Sequence, residues 1–160
     1  YAILYQNFES NINLGLVQSL EKVKKYQQIN LVLSSKSFQY TPDGIIQGFT
    51  NFCTKNGLEF DIIPDLDDDY ELQVNQAYII FREYDLIKMI NWTTKNKLKV
   101  GKDIGIISYD DTPLKEIIAE GISVISNDFK KMGERAAEMI LNHEKGRESN
   151  DFYFIDRGSL

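Results

Sequence analysis

Apolar residues along the chain alternate between short continuous runs and longer stretches with one apolar face, which predicts strands and helices in turn. Residues 2–5 read as a strand, and 13–26 as a helix with Leu16, Leu20 and Val23 on one side. A strand at 29–34 precedes a polar loop through Tyr40. Thr41 and Pro42 then open a helix as cap and first-turn proline; Ile45, Ile46, Phe49, Phe52 and Cys53 form its stripe, and Asn56-Gly57 ends it. Strands follow at 58–63, 77–81 and 104–109, with a helix over 83–96 between the last two. Residues 64–76, which hold Asp67-Asp68-Asp69, read as a poorly fixed connection. The chain closes with a strand at 121–125, a helix capped by Asp128 with Phe129, Met132, Ala136, Met139 and Ile140 inward, and a strand at 152–155. Parallel neighbours need crossover connections, so this order predicts an α/β fold: a three-layer sandwich around a mostly parallel sheet.

Composition narrows the functional classes. At 160 residues, 42% apolar and 26% charged, the chain is long enough for one domain with a real core. Its net charge of −6 argues against DNA binding by this piece alone, because phosphate neutralisation needs clustered Lys and Arg. Cys53 is the single cysteine and sits in an apolar helical pattern, so it reads as a core residue in a reducing, cytoplasmic setting. No window approaches a membrane span and no signal peptide is visible. The start at Tyr1, inside a strand, leads us to expect further protein upstream.

Candidate chemistry gathers at strand ends. The 104–109 strand stops at Asp110-Asp111, and in open α/β sheets that edge is where small polar ligands sit. A carboxylate there can accept hydrogen bonds from neighbouring hydroxyls, which suits a sugar or another polyol; alternatively both acids cap the following turn. Arg82-Glu83 occupies the matching place after the 77–81 strand, so Arg82 and Asp110 are expected to face one crevice, either gripping a ligand or pairing with each other. Tyr40 and Thr41 stand at the mouth of the second helix, where an aromatic face could stack on a sugar ring. The chain carries no nucleophile elbow, phosphate loop, dinucleotide turn or histidine pair at metal spacing, so no catalysis, metal or cofactor is expected. A third reading is a metal-using hydrolase or phosphatase built on Asp110-Asp111.

Residues 101–112 (Gly-Lys-Asp-Ile-Gly-Ile-Ile-Ser-Tyr-Asp-Asp-Thr), Ile122-Ser123-Val124-Ile125, the helix from Phe129 to Ala137 and the closing Asp156-Arg157-Gly158-Ser159-Leu160 together resemble the effector domain of lactose-repressor/galactose-repressor regulators. Gln47-Gly48-Phe49 agrees in place, and Tyr5-Gln6-Asn7-Phe8-Glu9 is similar to the variant that follows a GntR-type winged helix. The resemblance implies a two-lobed, periplasmic-binding-protein-like fold with an effector in the interlobe cleft, operator binding through a domain outside this chain, and a homodimer. It assigns 1–121 to the C-terminal lobe, 122–150 to a segment crossing to the N-terminal lobe, and 151–160 to a closing strand. In the family that crossing helix packs on the N-terminal lobe, so its apolar stripe is expected to need another cover. Asp110 falls where the family has an effector-binding aspartate, whereas Ile45 replaces an expected arginine and Arg82-Glu83 an Asn-Asp pair. An extracytoplasmic sugar receptor of a transporter shares the lobed architecture and is the alternative.

Overall fold

The computed structural model describes residues 1–33, 41–66 and 70–160. Its elements are β1 (Ala2–Tyr5), α1 (Phe8–Gln18), α2 (Leu20–Val23), β2 (Gln28–Val32), α3 (Asp43–Asn56), β3 (Phe60–Ile63), β4 (Gln76–Ile80), α4 (Glu83–Lys95), β5 (Gly105–Tyr109), α5 (Pro113–Ile117), β6 (Ser123–Asn127), α6 (Phe129–Leu141), β7 (Gly146–Ser149) and β8 (Phe152–Ile155). Six strands form one sheet in the order β3-β2-β4-β5-β6-β8, parallel except for β8, which runs against β6.

Two cores cover the two faces of this sheet, and single strands serve both. Ala77 and Ile79 of β4 join Ile12, Leu16, Phe49 and Phe52 from α1 and α3, while Tyr78 and Ile80 join Leu86 and Met89 from α4. A strand buried on both faces needs apolar residues at every position, which is why β4 reads as a run rather than an alternation. The expected sandwich is therefore present. Cys53 is fully buried in the first core, and burial pushes its thiol up to about 12.

Several element boundaries differ from the sequence reading for local reasons. The first helix begins at Phe8, not at residue 13, because the Asn7 side chain accepts from Ser10 N at 3.2 Å and caps it. It breaks at Ser19, whose hydroxyl donates to Leu16 O at 3.1 Å. α3 begins one residue later than predicted, with Pro42 rather than Thr41 at the cap position, and ends as expected at left-handed Gly57. The connection after β3 is better anchored than its composition suggests: Leu66 and Leu72 are buried, and Gln73 N donates to the Tyr78 hydroxyl at 2.9 Å. The Asp67-Asp68-Asp69 run lies outside the described residues.

A second, smaller unit stands apart from the main sheet. Among the described residues β1 pairs only with β7, in parallel, and α6 packs beside them. β7 was missed because Gly-Arg-Glu-Ser is exposed throughout and carries no apolar signal. On α6 the predicted stripe splits: Met139 is buried and Met132 and Ala136 are half-buried, but Phe129 and Ile140 are exposed. Among the described residues no helix is long and apolar enough to cross a membrane.

Candidate functional site

Strand β5 ends in an unusual backbone turn. Asp110, the next residue, has a φ of 57°, in the left-handed region that aspartate tolerates better than most residues. Its N–H donates to Ile125 O at 2.8 Å, which ties the turn to β6. Lys115, almost completely buried, donates from Nζ to the carbonyl oxygens of Tyr109 (2.8 Å) and Asp110. An ammonium on two successive carbonyls fixes this turn from below. Burial pushes the Lys115 ammonium down, opposed by the nearby carboxylates of Glu83, Asp110 and Asp111.

The turn places Asp110 beside a hollow of about 270 Å³. Phe8, Pro42, Ile45, Phe81 and Tyr109 supply its apolar lining, and Gln6, Thr41 and Asp110 its polar groups. Phe81 and Tyr109, the residues at the ends of β4 and β5, stack with ring centres 4.7 Å apart at 21°. Strict strand alternation sends neighbours to opposite faces; the left-handed residue breaks the pleat and lets Tyr109 and Asp110 line one hollow. Burial pushes the Asp110 carboxyl up, while the backbone and side-chain amides of Asn127 and the Lys115 ammonium oppose that rise. Among the described residues, Asp110 Oδ1 is buried without a hydrogen-bond partner. Such an atom is costly to leave unmade, so the carboxylate bordering the hollow is not fully satisfied by the described residues.

The predicted site residues divide. Asp110 and Thr41 meet in the hollow; Tyr40 lies outside the described residues. Arg82 does not join Asp110 there, and the expected ion pair between them is not the one it makes. Its guanidinium forks onto Asp85 at 2.7 and 2.8 Å and lies 3.6 Å from Asp65. The reason was local: Asp85 is three residues on, within the first turn of α4, at the spacing where side chains meet. Glu83 accepts from Thr112 Oγ1 at 3.1 Å instead of lining the hollow. Asp111 is held by a two-pronged pair with Arg157, both contacts 2.8 Å, and shapes the loop.

A larger hollow, about 330 Å³, lies on the β1–β7–α6 unit, but its central cation is already neutralised. Arg135 pairs with Glu144 at 2.6 Å and Glu148 at 2.9 Å. The described residues gather no group of three or more His, Cys, Asp or Glu side chains such as a metal ion would need.

The profile of the periplasmic binding protein-like domain matches residues 22–158. The chain belongs to that family. Among solved structures, a dimeric lac repressor with an 11-residue C-terminal deletion superposes with a TM-score of 0.77 at 18% identity, covering 98% of this chain and 62% of its own. A transcription regulator like protein from Staphylococcus haemolyticus gives 0.77 at 13% identity, over 99% of this chain and 61% of that one. A putative repressor of the LacI family from Corynebacterium glutamicum gives 0.72 at 18%, over 99% and 66%. This periplasmic binding protein-like domain thus spans under two thirds of the length of those proteins. No curated protein matches its sequence.

Proposed function

We propose that this periplasmic binding protein-like domain is the effector-sensing part of a DNA-binding transcription regulator. The effector is a small hydroxylated molecule, a sugar or sugar derivative, bound in the hollow at Asp110. One observation carries the reading: a strained acidic residue with a buried, unserved oxygen borders an aromatic-lined hollow at the carboxyl end of a parallel sheet. Asp110 and Thr41 supply directional hydrogen bonds, and the stacked Phe81–Tyr109 pair offers an apolar face for a ring. Related folds support the regulator reading, since the lac repressor has been solved as a dimer bound to operator and an anti-inducer.

In this reading the six-stranded sheet is the C-terminal lobe, and β1, α6 and β7 belong to a second lobe completed outside this chain. Exposed Phe129 and Ile140 on α6 fit a face that such a lobe covers. DNA contact falls to a further domain, of GntR-type winged-helix kind by the sequence resemblance. Two copies associate through α4 and α5, where Tyr84, Ile87 and Ile117 are exposed apolar residues on a charged surface. The effector acts by binding one arrangement of the lobes better than the other, which changes how a dimer presents its DNA-binding heads.

The test is Asp110→Ala in the full-length regulator. Losing a hydrogen bond to a charged group costs about 1.5–3 kcal/mol, so effector affinity in calorimetry is expected to fall roughly 10- to 150-fold. Operator binding without effector should stay within about twofold, because Asp110 lies outside any DNA-facing element in this reading. Unchanged effector affinity would remove Asp110 from the site.

A further inference from the structure

Charge is distributed unevenly around the hollow at Asp110. Among the described residues its lining carries one charged group, the Asp110 carboxylate, beside the neutral polar side chains of Gln6 and Thr41. The cations that the fold brings to this end of the sheet are engaged elsewhere. Lys115 directs its ammonium at the carbonyls of Tyr109 and Asp110. Arg82 forks onto Asp85 at 2.7 and 2.8 Å, and Arg157 forks onto Asp111 with both contacts at 2.8 Å. A guanidinium forked onto a carboxylate is neutralised by it, so its attraction for a further anion is largely cancelled.

Burial sharpens the consequence. Asp110 Oδ1 is shielded from water and, among the described residues, has no hydrogen-bond partner. An anion brought beside it would meet a like charge across poorly screened space, where Coulomb repulsion is several times what it is in water. A hydroxyl would meet an acceptor instead. Along the rest of the hollow, Ile45 and the stacked rings of Phe81 and Tyr109 supply apolar surface, so a ligand gains there by burying carbon. A phosphate or carboxylate group would lose its water there without a cation to compensate.

We propose that the hollow selects an uncharged effector, with a hydroxyl at the Asp110 end and an apolar ring or substituent against Phe81 and Tyr109, and rejects phosphorylated and acidic sugars. Asp110 is thereby the specificity-determining residue as well as a grip. This rests on the reading of the hollow as the effector site and narrows the class of molecule that fits it.

The experiment uses two probes of nearly equal size, benzyl alcohol and benzoate, which share a ring and differ in charge. Each is titrated into the effector-free, full-length protein at about pH 8, above the usual carboxylate range, and followed by NMR at the Phe81, Tyr109 and Asp110 amides. Benzyl alcohol is expected to move those amides with a midpoint at least about tenfold below that of benzoate. Asp110→Asn keeps the shape and tolerates the left-handed backbone while removing the charge. Benzoate should gain at least about fivefold in that variant relative to benzyl alcohol. If Asp110→Asn fails to fold, the order of the two probes on the unaltered protein decides alone. Benzoate binding as tightly as benzyl alcohol, a benzoate midpoint unmoved by Asp110→Asn, or amides that neither probe shifts would each overturn the proposal. Because no effector is present, that failure is separate from the failure of Asp110→Ala to weaken effector binding.

Discussion

Gly101→Ala is expected to destabilise the fold more than any other single methyl group added to a described glycine. Gly101 has a φ of +80°, and a Cβ there would sit 2.0 Å from the backbone oxygen of Gly158. Backbone cannot swing aside as a side-chain tip can. Relief would require the chain end to move, and that end is built in: Ile106 N donates to Ser159 O at 2.7 Å, Ser159 Oγ to Ile106 O at 2.6 Å, and Ser123 N to Ser159 Oγ at 2.8 Å. Leu160 is buried beyond them. Left-handed strain and overpacking together should cost about 3 kcal/mol or more. Gly57→Ala is the control, since its φ of +63° carries the same backbone strain but nothing lies within 4 Å of the added carbon. Its cost should be only about 1–2 kcal/mol. Urea midpoints of the two variants measure the difference, and equal midpoints would mean that the Gly158–Ser159 seat yields freely.

Lys115→Ala is expected to be the other costly change, and it should reach the site as well as the fold. The lysine stem fills buried space beside β5, and its ammonium holds the Tyr109 and Asp110 carbonyls. Removing both the stem and the donor should cost about 3 kcal/mol, part from the cavity and part from carbonyls stripped of their donor. Lys115→Met separates the two, because it keeps most of the volume and removes only the ammonium. Both variants should speed amide exchange at Asp110 and Asp111, where the turn loses its anchor, while β4 amides stay protected. Exchange that rises evenly across the sheet would assign Lys115 a general packing role.

Much of this architecture was legible because burial leaves marks in composition. β4 and β5 lie between two helical layers, so their sequences are nearly continuous apolar runs. α3 presents one buried face and ends at a left-handed glycine, both visible in residue spacing. The position of Asp110 followed from β5, since a strand end is a local feature. Features set by distant partners were not legible in the same way. β7 has no apolar residue, and its partner β1 is at the other end of the chain. Lys115 sits in Pro-Leu-Lys-Glu-Ile, where nothing in the residue types marks the lysine itself for burial against the end of β5. Asn11 Nδ2 donates to Asn127 Oδ1 at 3.0 Å, yet the two are 116 residues apart, and each alone reads as a polar surface residue. Tyr109 was hidden by the pleat rule, which the left-handed Asp110 breaks. Arg82 is a different case, because Asp85 stood three residues away and local pairing outweighed the crevice inferred from topology.

The most direct measurement of the central claim is an amide chemical-shift map of the full-length protein, titrated with whichever small molecule changes its operator affinity. The largest shifts are expected at Phe8, Phe81, Tyr109 and Asp110, with Lys131, Glu134 and Glu138 around the second hollow unmoved. Largest shifts around that second hollow, with Phe81 through Asp110 unperturbed at saturation, would contradict an effector site at Asp110.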